Sequence, residues 1–303
     1  MSDGVTTPRF VTPSRPSTAD LPGAAPVALS TASVYPEGVA AGFEIAGELG
    51  YDGVELVGEP AEQDPGRIRA DLDRHGLVAS SIISIFTPER DIVSTDPAVR
   101  RRAVDYVRGN VDHAAALGAE VVTFTPTACM KIVPGADRAR EWQWAVEAAR
   151  AVGDHAGERG VRIAVEPWNR YETYLINRMD QAVAFVDEVA RPAVGVMADT
   201  FHMAIEETDI AAAIRRAGAR LTHVHLADSN RAAPGYGHLD FAPVLAAIAD
   251  IGYEGWISYE LLPAAGDVWG VLSGAGAPEF GDLYTGAAIA HTRAVLAGLG
   301  ERT

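Results

Sequence analysis

The sequence predicts a single-domain α/β chain, a (β/α)8 TIM barrel preceded by a disordered N-terminal tail. Three observations predict it. Short apolar runs alternate with helical patterns through eight repeats, the rhythm of a parallel sheet wrapped in helices. Most of the helical patterns stop at a glycine directly before the next apolar run, because a left-handed helix end favours glycine. The runs show little polar alternation, as expected of strands covered on both faces. An open doubly wound sheet would favour a glycine-rich phosphate loop after an early strand, and the sequence carries none.

The first half reads in order as follows. Val27–Thr31 is the first strand, and Glu37–Leu49 its helix, stopped by Gly50. Val54–Val57 is the second strand, followed by a helix over about Pro65–His75 and Gly76. Leu77–Phe86 is the third; Thr95 or Asp96 then caps a long helix reaching Leu117. Glu120–Thr125 is the fourth strand and Asp137–Arg159 its helix, with Gly160 leading into the fifth.

The second half keeps that rhythm. After the fifth strand come a helix over Asp180–Ala190, strand six at Val194–Ala198 and one helix over Ile205–Ala217. Strand seven is Leu221–Leu226, and Asp240 caps a helix over Phe241–Ile251, with Pro243 tolerated in the first turn. Strand eight is Trp256–Glu260, and a last helix covers about Tyr284–Leu299.

Composition bounds the function. A chain of 303 residues with 48% hydrophobic and 22% charged content can bury one large core. Its net charge of -16 opposes nucleic-acid binding, which needs clustered Lys and Arg. Cys129 stands alone, so no intrachain disulfide forms and a reducing, cytoplasmic setting fits. No apolar run approaches the roughly 18 residues of a membrane span. Residues 1–26 are rich in Pro, Ser, Thr and Ala and lack the apolar centre of a secretory signal. They read as a flexible tail, with the barrel over 27–303.

The chemistry collects at strand ends. In Val161-Arg-Ile-Ala-Val-Glu166, apolar residues alternate as in an extended chain, and Pro167 forbids simple continuation. Glu166 therefore sits on a strand tip. Asp199, His225 and Glu260 end the next three strands, on the face where barrel enzymes place their active sites. Two Glu, one Asp and one His make a hard, mostly oxygen shell suited to one divalent ion, Mn²⁺ first, with Co²⁺ or Mg²⁺ as alternatives. Four protein ligands leave two octahedral positions for a chelating substrate.

The stretches Glu166-Pro-Trp-Asn-Arg-Tyr-Glu172, Asp199-Thr-Phe-His-Met-Ala-Ile-Glu-Glu207 and His225-Leu-Ala-Asp-Ser-Asn-Arg231 resemble motifs of the ketose 3-epimerases. These are the D-tagatose and D-allulose (psicose) 3-epimerases of the xylose-isomerase-like barrel superfamily. The resemblance covers essentially the whole chain after the tail. It implies metal ligation by Glu166, Asp199, His225 and Glu260, with Glu166 and Glu260 also the acid/base pair that inverts C3 of a free ketose through a cis-enediolate. It implies that Glu172, His202 and Arg231 hold the sugar oxygens, and that the enzyme is a homodimer or homotetramer.

The same shell resembles aldose–ketose isomerases, inosose dehydratases and the larger subunit of C-glycoside-cleaving lyases, which are the alternative reactions. A non-catalytic sugar-binding barrel ranks last, because both proton-transfer glutamates are present. The DNA-repair endonucleases of the superfamily are set aside by the acidic charge. Strand one is small and hydroxylic, strand three lacks the glycine usual near its end, and Leu261-Leu-Pro263 follows Glu260 where the family favours other residues. These departures bear on the substrate pocket.

Four further features have bland readings. His223 shares a face with His225 by the period of two and reads as a hydrogen-bonded residue of the barrel interior. His238 belongs to the rim. Trp142 and Trp144 cannot both face the core from one helix, so one belongs at a subunit or pocket surface. Arg100 to Arg102 form a solvated face.

Overall fold

Eight parallel strands pair in chain order, and the last closes on the first. They are β1 (Val27–Ser30), β2 (Gly53–Val57), β3 (Val78–Ile83), β4 (Val121–Phe124), β5 (Arg162–Val165), β6 (Val194–Asp199), β7 (Leu221–His225) and β8 (Ile257–Tyr259). Around them lie α1 (Val39–Leu49), α2 (Pro65–His75), α3 (Pro97–Leu117), α4 (Arg138–Arg159), α5 (Met179–Val189), α6 (Thr200–Glu206), α7 (Ile210–Ala217) and α8 (Phe241–Asp250). Residues 285–295 are also helical. The computed structural model describes residues 25–34, 39–262 and 285–295. All but the last two residues of the expected tail lie outside that range, as does part of the expected last helix.

The helix ends follow from the sequence. Asp64, Asp96 and Asp137 each accept backbone N–H bonds at the start of α2, α3 and α4, satisfying donors the helix cannot. At the other end, Gly160 takes a left-handed φ of 69° and closes α4 two residues before β5.

One expectation is corrected. The helix predicted over Ile205–Ala217 is two helices, α6 and α7. Asp199 ends β6 and at once caps α6, accepting from Phe201 N at 2.8 Å. Asp209 caps α7 separately, accepting from Ala212 N at 2.9 Å. Apolar periodicity continues across the break, and only the second cap marks it. Strand ends are also shorter than expected; Leu77–Phe86 contracts to Val78–Ile83, because residues nearing the barrel mouth leave the ladder.

Core and interior differ in kind. The main apolar layer lies between strands and helices and takes in Val122, Ile163, Val165, Val196, Ala198 and Val224. The alternate residues face the barrel axis. There Val121, Ala164 and Met197 form a small apolar cluster of their own, while Glu55, Ser81, His223 and Ser258 are polar and fully buried. Among the described residues no helix is long and apolar enough to cross a membrane.

Candidate active site

β5 to β8 deliver the predicted side chains to one place. The register sets Asp199 beside His225, and His225 beside Ser258 of β8. Asp199, His225 and Glu260 offer donor atoms within 4.8 Å of one another, and so do Glu166, Asp199 and His202. Asp199 joins the two groups. Its Oδ2 lies 3.7 Å from His225 Nδ1 and 3.8 Å from His202 Nε2. Glu260 Oε2 is 3.8 Å from His225 Nδ1, and Glu166 Oε1 is 3.9 Å from His202 Nε2. These separations are too long for hydrogen bonds, and Asp199 Oδ2, His225 Nδ1 and His202 Nε2 are all buried without a hydrogen-bond partner. Buried polar atoms ordinarily have partners; Asp199 Oδ2 and His225 Nδ1, with the Glu260 carboxylate beside them, converge on a centre of the donor type that a divalent cation takes. The residues fit the metal that the resemblance implies.

Charge around the centre is uneven. Burial raises the Glu166 carboxyl well above its ordinary range, and the Asp199 and Glu260 charges add to it. Burial acts on Glu260 in the same sense, but the Arg231 guanidinium and His225 together outweigh it and hold that carboxyl low. Arg231 Nη2 donates to Glu260 Oε2 at 2.8 Å. Asp199 is likewise held low, burial being outweighed by His202 and His225. Burial would lower His225, yet Glu55, Asp199 and Glu260 around it raise it well above the ordinary imidazole range. A site that stabilises positive charge this strongly at His225 also suits a cation.

The residues expected to hold substrate line the same space. Arg231 Nη1 lies 3.6 Å from Glu172 Oε1, and the guanidinium stacks on Phe201 at 4.7 Å. Arg231 sits at φ 62°, a left-handed conformation that costs a non-glycine residue roughly 1–2 kcal/mol. The β7–α8 loop imposes it. Asp228, fully buried, accepts from Ser229 N at 2.7 Å, Leu239 N at 3.1 Å and Gly235 N at 2.9 Å. A Cβ at Gly237 would stand 2.1 Å from Asp228 Oδ1, so the loop can wrap this carboxylate only with glycine there.

The sequence reading missed Asn169 and Glu55. Asn169 donates its side-chain amide to Glu172 Oε1 at 2.9 Å and meets His202 Nδ1 at 2.8 Å. Its backbone N–H also donates to His202 Nδ1 at 3.2 Å. A backbone N–H can only donate, so Nδ1 is the acceptor and the ring hydrogen of neutral His202 resides on Nε2. That nitrogen therefore offers a donor to the centre. Trp168 stacks on the same ring at 5.8 Å. Glu55 is an acid in the middle of an apolar run, which was the available signal.

The bland readings hold for two histidines. His223 is fully buried and bonded to Glu55 at 2.7 Å, and His238 is exposed. Trp142 packs edge-on against Phe185 and donates to Glu188. Trp144 lies beneath Arg100 at 4.0 Å; Arg100 also donates to Ser94 O, so it is bound rather than simply solvated.

Known proteins give matching results. Residues 43–270 match the family model described as xylose isomerase-like TIM barrel. The L-ribulose 3-epimerase of Methylomonas sp. strain DH-1 is 33% identical over 71% of this chain and 75% of its own. The D-psicose 3-epimerase of Ruminiclostridium cellulolyticum is 30% identical over 84% of this chain and 91% of its own. The crystal structure of D-psicose 3-epimerase with D-tagatose from Clostridium cellulolyticum H10 superposes with a TM-score of 0.79 at 28% identity, covering 89% of this chain and 99% of that one. The D-allulose 3-epimerase of Methylomonas sp. in complex with D-allulose gives 0.80 at 29% identity, covering 90% and 98%.

Proposed function

This chain belongs to the xylose isomerase-like TIM barrel family, and to the ketose 3-epimerases within it, and from that premise we propose that it inverts C3 of a free ketose with Glu166 and Glu260 as acid and base. The observation that carries this reading is the sharing of Asp199 between a group containing Glu166 and a group containing Glu260. Two carboxylates thus meet one centre from different strands, as needed to remove a proton from one face of a carbon and return one to the other. Epimerases that bind D-tagatose and D-allulose share the fold over most of their length, which supports an unphosphorylated ketose as substrate.

Glu166, Asp199, His225 and Glu260 would hold the ion, Mn²⁺ in our reading, which when bound supplies Lewis-acid polarisation of a carbonyl and its neighbouring hydroxyl. The rest falls to the chain's own side chains. Arg231 keeps Glu260 ionised and ready to take the C3 proton, while desolvated Glu166 holds its proton more tightly and is ready to give one. For the reverse reaction the roles exchange, as microscopic reversibility requires. His202 Nε2–H donates to a sugar oxygen, which excludes this nitrogen from the ligand set. Glu172 and Arg231 hold further hydroxyls, and such positioning carries a large share of any rate enhancement.

Two features support finer points. Met130, Ile132, Val133 and Tyr171 are exposed apolar side chains, and a bridge between Lys131 and Thr173 draws their loops together. This patch supports pairing with a second copy, as a homodimer or half of a homotetramer. Cys129 is buried beside the site, its thiol pushed up to about 12 chiefly by burial, which leaves it unreactive; a lone thiol supports a cytoplasmic setting.

The test is NMR of a ketose panel in D₂O with Mn²⁺. Deuterium uptake with inversion at C3 is the expected result; label at C1 or C2 identifies an isomerase, a released fragment a lyase, and no exchange with any ketose overturns the proposal.

A further inference from the structure

Glu55 lies midway along β2, is fully buried, and has no part in the chemistry above. Its two oxygens are used differently. Oε2 accepts from His223 Nε2 at 2.7 Å and from Ser81 Oγ at 2.7 Å. Oε1 is left facing His225, whose Nε2 stands 2.7 Å away. That approach is short but bent: it falls outside the angles of a well-formed hydrogen bond, and neither atom has another partner. With His223 and Ser81 clamping one oxygen from β7 and β3, the other cannot turn away from His225.

Glu55, His223 and His225 come close enough to suggest a second cation site. The distances oppose it. Donor atoms at adjacent corners of an octahedral ion, with bonds of roughly 2.1 Å, stand about 3 Å apart. The Glu55 oxygens lie 2.7 Å from each imidazole nitrogen, which is the spacing of a carboxylate against an N–H. His225 moreover has only two nitrogens, and Nδ1 already faces Asp199 and Glu260.

We infer that Glu55 is a positioning residue that takes the Nε2 hydrogen of His225 and so turns the Nδ1 lone pair toward Asp199 and Glu260. A neutral imidazole has one donor and one acceptor nitrogen, and the partner of one decides the role of the other. The two histidines of the site are then set in opposite senses. Asn169 makes His202 a donor to the centre, whereas Glu55 makes His225 a ligand. A carboxylate on the far nitrogen of a ligating imidazole also raises its basicity, and losing such a partner typically weakens metal affinity by about 10–100-fold.

This inference rests on the metal reading given above, and the experiment separates the two. Mn²⁺ binding to the metal-stripped full-length protein is titrated by calorimetry or EPR for the unsubstituted chain, Glu55→Gln and Ser81→Ala. An amide cannot accept from both imidazoles, so Glu55→Gln is expected to weaken Mn²⁺ about 10–100-fold, with turnover largely recovered at saturating Mn²⁺. Ser81→Ala, which loosens one clamp on Oε2, is expected to weaken it by a smaller but measurable factor. Should Glu55→Gln not fold, Ser81→Ala alone decides the matter. Unchanged affinity in the folded variants, or a loss of turnover that saturating Mn²⁺ does not restore, overturns the positioning role while leaving the metal reading intact. An unsubstituted chain that binds no Mn²⁺ overturns the metal reading and this one with it.

Discussion

Asp199 caps α6 with one oxygen, bonding Phe201 N, and aims the other at His225 and His202. Division of labour of this kind recurs at residue scale in the site. Glu166 and Glu260 are the same residue type in different surroundings, one desolvated and one paired with Arg231. If each serves one face of C3, Glu166→Gln and Glu260→Gln should both nearly abolish inversion. At least one should still exchange the C3 proton with D₂O without inversion, through its remaining carboxylate. NMR with metal content measured in parallel checks this; inversion near the parental rate in both metal-loaded variants rules the pair out. Asn169→Ala removes the amide that bridges Glu172 and His202. Steady-state kinetics should show a loss of about tenfold in kcat/KM, the scale of one hydrogen bond.

At the scale of elements, the β7–α8 loop is organised by a buried carboxylate, Asp228, whose oxygens are taken up by the loop's own backbone N–H groups. Burial alone would raise Asp228, but the backbone N–H groups of Leu239, Ser229, Gly237 and Gly235 outweigh it and lower its pKa. A carboxyl lower in the folded than in the unfolded chain stabilises the fold above its unfolded value, about 3.9. That contribution is lost as pH falls through the depressed folded value. Asp228→Asn should therefore be less stable than the parent at pH 6, with the gap narrowing as the pH drops below about 4. Urea unfolding at both pH values measures it. Because the loop also holds Arg231 at positive φ, KM for the ketose should rise in the same variant. Among the helices, Asp96→Ala should cost about 1 kcal/mol by loss of the α3 cap, read from the same unfolding curves.

For the whole molecule, a cation bound only by the folded chain stabilises it by mass action. Mn²⁺ at a hundred times its dissociation constant should add about 2.7 kcal/mol to the unfolding free energy, and a chelator should reverse the shift in Tm. If the patch at Ile132 and Val133 joins two copies, replacing both with Asp should halve the mass seen by sedimentation while leaving the monomer folded.

The sequence by itself determined the barrel, its order of strands and the placing of Glu166, Asp199, His225 and Glu260 at strand tips, because apolar periodicity, caps and glycine stops are local properties. It placed Asp199, His225 and Glu260 correctly, since β6 to β8 end within a residue or two of where the pattern says. Only the tertiary structure decided what stands opposite. Glu55 and His223 are 168 residues apart, and nothing local in β2 says that its acid reaches across the interior to β7. The break between α6 and α7 was hidden for the converse reason, since the packing face continues across a cap that interrupts the backbone. Likewise His202 gains its role as donor from Asn169, 33 residues away. Tautomers, pKa order and the posture of Arg231 are properties of surroundings, and closure of the barrel is what creates those surroundings.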